Sequence, residues 1–112
     1  MPNSDGPKAA LLKQILQPLL EDFQDWLSGA RSLLETEEIH FLAATEQQNL
    51  LARVKQAQQE VLATQALFNA TDGQVGVEAS ALVPWHCLVA ECWQVSQRFR
   101  AERSAAQGNN LL

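Results

Sequence analysis

Apolar residues along the chain fall into three stretches with helical spacing, separated by an acidic connection at 36–44 and by a second one that opens on Thr71-Asp72-Gly73. From Lys8 to about Glu35, Leu12, Ile15, Leu16, Leu19, Phe23, Trp26, Leu27, Ala30, Leu33 and Leu34 share one side of a helix. Lys13, Gln14, Gln17, Glu21, Gln24, Asp25, Ser28, Arg31 and Glu35 take the other side. Pro18 falls among the polar positions, so the helix either bends there or breaks into two at Gln17. The unbroken apolar phase across Pro18 favours the bend.

Residues 36–44 read as a connection, with a short helical turn from Glu37 to Leu42. Thr45 followed by Gln48 has the form of a capping box and predicts a second helix from about Glu46 to Ala70. Its seam is Leu50, Val54, Ala57, Val61, Thr64 and Phe68, a heptad rhythm with small residues at its centre. Gln47, Gln58 and Gln65 lie along one edge, and Gly73 supplies the left-handed stop. A third helix starts between Glu78 and Pro84, with Pro84 suited to a first turn. It carries Trp85, Leu88, Val89, Cys92, Trp93, Ser96 and Phe99 on one face up to about Arg103. Residues 1–7 read as a disordered lead-in, 8–103 as the bundle domain and 104–112 as a flexible tail. Helices of about 25 residues span about 37 Å each, which predicts an all-α, elongated, antiparallel three-helix bundle.

The apolar face of the first helix is wider than one seam requires, and the second helix offers only a narrow, Ala-rich strip in return. Leu20, Leu27 and Leu34 are therefore expected along an uncovered edge that meets another chain, in a homodimer or a complex with a protein partner. Composition agrees with helices: 17 Leu and 16 Ala stand against five Gly and four Pro in 112 residues. No stretch has the length of a membrane span or the layout of a signal peptide, so a soluble, intracellular chain is expected.

The net charge of −5 is uneven. Residues 21–46 hold seven carboxylates against Arg31 alone, whereas Arg98, Arg100 and Arg103 cluster near the end. An acidic middle gains nothing from phosphate backbones, so nucleic acid is not an expected partner. The arginines either complement the dipole of the third helix or meet the acidic region of a second copy.

Candidate chemistry is sparse. Glu37 and His40 form one Glu-x-x-His, half of a di-iron arrangement whose second copy is missing. Cys87 and Cys92 sit about 140° apart on a helix and cannot share one ion; Cys92 reads as core and Cys87 as the accessible thiol. His86 and Cys87 splay by about 100°, which works against a catalytic pair. Trp26, Trp85 and Trp93 suggest a flat ligand platform, but an apolar stripe more readily makes Trp26 and Trp85 core, with Trp93 nearer the edge. No catalytic residue, metal site or cofactor is expected.

Three stretches carry a resemblance: Leu19 to Trp26, Leu50 to Glu60, and Ala70 to Val77 leading into Pro84-Trp85-His86. Together they resemble a family of small cyanobacterial proteins classed as a domain of unknown function, over about residues 8–103. The resemblance implies a cytoplasmic or thylakoid-associated setting in cyanobacteria and transfers no functional residue. The leading expectation is a non-enzymatic helical interaction or assembly module. Its candidate contact residues are Leu20, Leu27, Leu34, Trp85, His86 and Trp93; a small-ligand or metal-binding bundle is the alternative.

Overall fold

A computed structural model describes residues 6–73 and 79–111. It contains three helices, α1 (Gly6–Thr36), α2 (Ala44–Ala70) and α3 (Ala79–Leu111), and no strand among the described residues. The helices run up, down and up, so α1 and α3 are parallel and α2 is antiparallel to both. Lys13 pairs with Asp72 at one end, and Arg103 lies 3.7 Å from Glu37 at the other. The molecule is elongated, with extents of 68 × 30 × 19 Å.

α1 continues through Pro18 as one helix. The proline is exposed on the polar side, where its missing N–H and its ring meet no other helix. On its other side, from before the proline onward, the helix buries a row that repeats by four and three: Leu16, Leu20, Phe23, Leu27, Ala30 and Leu34. The expected uncovered edge is thus overturned. Leu20 is 1% exposed and Leu27 0%, because these residues are the centre of the α1 seam that receives both α2 and α3.

α2 begins at Ala44, two residues ahead of the expected start. Ala43 is the extended N-cap residue, and the Glu46 carboxylate accepts its backbone N–H at 3.2 Å. Alanine has no side-chain acceptor, so only this reciprocal half of a capping box forms, and Thr45 lies exposed inside the first turn. Leu50, Val54, Ala57, Val61 and Phe68 are buried as the seam predicts; Thr64 is half-buried and returns its hydroxyl to the Glu60 carbonyl at 2.8 Å. The helix ends as expected. Gly73 has φ 78° and donates its N–H to the Phe68 carbonyl at 2.8 Å. Asp72, at φ 53°, shares the left-handed turn.

The connection holds a single i to i+3 bond, from the Leu42 N–H to the Ile39 carbonyl at 3.0 Å, in place of a longer helical turn. Gln47 secures it. Its amide N–H groups donate to the carbonyls of Leu34 (2.9 Å) and Glu37 (2.8 Å), and its oxygen accepts the Ile39 N–H at 3.0 Å. One side chain of α2 thereby satisfies carbonyls that the end of α1 leaves open. Buried Ile39 closes the core beneath it.

α3 starts at Ala79, which places Pro84 in the second turn and not in the first. It also continues beyond Arg103 to Leu111, where a tail was expected. Ser104-Ala105-Ala106-Gln107 contains good helix formers and no breaker, so nothing in it stops the helix. Residues 1–5 of the lead-in, 74–78 of the loop before α3 and Leu112 lie outside the described residues.

Candidate functional site

Two longitudinal grooves flank α1, and their chemistry differs. Between α1 and α2 the surface is polar. Gln24 donates to the Gln65 side chain at 3.2 Å and to the Gln58 carbonyl at 3.3 Å, while Arg31 donates to the Gln58 side chain at 3.2 Å. Gln58 and Gln65 belong to the edge seen in the sequence, and they are already occupied in zipping the two helices together.

Between α1 and α3 lies an apolar groove of about 600 Å³. Trp26 of α1 and Trp93 of α3 stand along it, 49% and 61% exposed. Gly29, Leu33 and Val89 line it between them, with His86 near one end. Trp26 is not core, against the expectation from the stripe. It sits on the α1 flank, under a quarter of a turn from the buried row, on the same side as exposed Leu11 and Ile15.

The ring of Trp26 is fixed from beneath. Phe23 meets it edge-on at 5.8 Å, and Phe23 in turn meets Trp85 at 5.8 Å. Trp85 is 4% exposed, and its indole N–H donates to the Glu60 carboxylate at 3.0 Å. A chain of aromatic contacts therefore runs from the core to the groove and supports one edge of Trp26. An aromatic side chain offers a large contact area for the loss of few rotatable bonds, which makes it a good anchor.

Charge marks the two ends of this groove. Asp25 lies at the His86 end and Arg100 at the other. Among the described residues neither has an ion-pair partner. The neighbouring arginines differ. Arg98 pairs with Glu102 at 3.3 Å and lies 4.2 Å over the Phe41 ring, and Arg103 faces Glu37. Part of the basic cluster is thus met by the acidic region of its own chain, and Arg100 is left facing outward.

The six expected contact residues divide. Leu20, Leu27, Leu34 and Trp85 are buried in the core, whereas His86 and Trp93 come together in the α1/α3 groove. Trp26 and Arg100, considered in the sequence as a platform residue and a member of the basic cluster, also belong to the groove, together with Asp25 and Gly29, which the sequence did not single out. The signal was present: the spacing of Leu16, Leu20, Phe23, Leu27, Ala30 and Leu34 repeats that of the α2 seam and leaves Trp26 beside it.

The remaining chemical candidates are apart. Glu37 and His40 each tie the connection to α3, His40 through Nε2 2.8 Å from the Glu102 carboxylate. Among the described residues no three His, Cys, Asp or Glu side chains converge on a point that would hold a metal ion. His86 faces the α1/α3 groove, while Cys87 lines the opposite α2/α3 side with Arg53 and Glu60. Cys92 is buried, and desolvation pushes its thiol up to about 11.

The fold and the groove define an all-α three-helix bundle with an apolar groove on its α1/α3 side. Within that class the chain belongs to a family described as Protein of unknown function (DUF2605), whose profile matches residues 6–101. The match spans α1, α2 and most of α3, including every groove residue named above. No curated protein and no solved structure matches the chain.

Proposed function

We propose that this protein is a non-enzymatic helical interaction module that docks a protein partner in the α1/α3 groove. The observation that carries the reading is the pair of exposed tryptophans, Trp26 and Trp93, on either side of an apolar channel. Ordered aromatics in a groove between helices are the usual anchors of protein recognition. The core is closed by Leu20, Leu27 and Trp85, and about half of each of the Trp26 and Trp93 indoles is left in solvent. The cyanobacterial setting and the cytoplasmic or thylakoid-side location implied by the resemblance belong to the same proposal. No described helix is long and apolar enough to cross a membrane.

A small-ligand reading has one observation in its favour, the groove volume of about 600 Å³, which is within the usual range for ligand sites. The groove is, however, open along its length and lacks the enclosure such sites provide.

The test is site-specific cross-linking in the source organism. A photoreactive benzophenone side chain replaces Trp93 in one variant and Lys55, exposed on α2, in another. Protein adducts at position 93 and not at 55 are expected. Adducts at neither position, or equally at both, would contradict an interaction surface on the α1/α3 side.

A further inference from the structure

The groove is charged in opposite senses at its ends. The helix backbones bring Leu34 beside Ser96, and the Arg103 guanidinium reaches back to Glu37, so the Arg100 guanidinium, about one turn earlier, is carried toward the level of Leu33 and Leu34. Asp25 lies about nine residues below that level, roughly 14 Å along the helix. Midway between them on α1 is Gly29, where an added Cβ would meet nothing within 4 Å. Glycine inside a helix is less stable than alanine, and nothing in this chain crowds the position.

We propose that the groove is closed by a second copy of this chain, antiparallel to the first, about a two-fold axis that crosses the helices at the level of Gly29. The proposal rests on the interaction reading above and names its partner. In this arrangement the α1 helices cross at their Gly29 backbones, and the missing Cβ atoms allow a close approach. The Asp25 end of each copy then comes against the Arg100 end of the other, so both unpaired charges acquire opposite partners. A parallel pairing would bring the Asp25 ends together and the Arg100 ends together, which opposes association. The charges therefore select the antiparallel form, and a two-fold axis makes both contacts equivalent.

Trp26 and Trp93 supply the apolar anchors of this contact.

Sedimentation velocity on the full chain, from low to high micromolar concentration, tests the proposal. The mass is expected to rise from 12.4 kDa toward twice that value. Asp25→Arg and Arg100→Asp should each weaken association about tenfold, and the two together should restore it to within about threefold of the original. Gly29→Leu should abolish the dimer while leaving helicity and thermal midpoint undiminished, which separates loss of the interface from loss of the fold. A chain that stays monomeric at high micromolar concentration overturns the second copy as occupant, as does a double charge exchange no better than either single one. A monomeric chain that still gives an adduct to a different protein at position 93 removes the second copy and leaves the interaction reading standing. Absence of any adduct removes both.

Discussion

Leu27 has no exposed surface and lies in the middle of the α1 row, packed between the other two helices. Leu27→Ala should cost about 2–5 kcal/mol of stability through lost transfer energy and a cavity, read as a lower midpoint in urea unfolding. Placement on an open edge would make Leu27→Glu a probe of association; burial makes it a probe of folding, and loss of helicity is the expected result. Trp93→Glu is the contrasting change. At 61% exposure its effect on stability should stay within about 0.5 kcal/mol, so any loss of binding reports the surface. The thiols give a second contrast. In the native chain a maleimide should modify Cys87 only, and in denaturant both cysteines; labelling of two thiols without denaturant would contradict the burial of Cys92. At this scale the sequence separated Cys87 from Cys92 correctly, and its stripe put Trp85 in the core, although Trp85 was also offered as a contact residue, which its burial rules out. It misplaced Trp26, because an apolar stripe spanning half a helix does not say which of its flanks a neighbour covers.

Each helix boundary is held by a few polar contacts whose removal has a foreseeable effect. Gln47 makes three hydrogen bonds to backbone groups around the end of α1. Gln47→Ala should cost about 1–3 kcal/mol, since partly buried carbonyls lose their donor, and hydrogen exchange should rise at Ile39 first. Between α2 and α3, Arg53 grips the Glu91 carboxylate with both terminal nitrogens, at 2.8 and 2.9 Å. Those hydrogen bonds hold the Glu91 carboxyl below its ordinary value of 4.5. A lowered carboxyl pKa adds stability that is full above the unfolded value and fades as pH falls through the folded one. Urea midpoints should therefore decline below about pH 4.5, and Glu91→Gln should flatten part of that decline. The effect is small, at most about 1 kcal/mol, because both side chains are nearly half exposed. The number, order and central spans of the helices were legible from spacing alone. Their ends were less so. α2 starts early because Glu46 reaches Ala43, and α3 runs long because Ser104 to Gln107 contains nothing that breaks a helix.

For the whole molecule, the Leu surplus of α1 does what a wide apolar face implies, though in a different place. Its central row closes the core against α2 and α3, and the excess appears on the α1/α3 flank as Leu11, Ile15 and Trp26. Periodicity showed that surface was left over. Only the packing of three helices could show where, since α3 comes to rest beside one flank of α1 and not the other. The groove that results brings together residues nearly seventy positions apart in sequence, and no local motif marks them. An association through it should weaken with salt, because Asp25 and Arg100 lie at its rim. The most direct test uses the three tryptophans of the chain as reporters in ¹H–¹⁵N spectra of the indole N–H groups. On raising concentration, the signals of Trp26 and Trp93 should shift together, while that of Trp85, bound to Glu60 in the core, stays in place. Three stationary signals, or a Trp85 signal that moves as far as the others, would contradict a second copy in the groove.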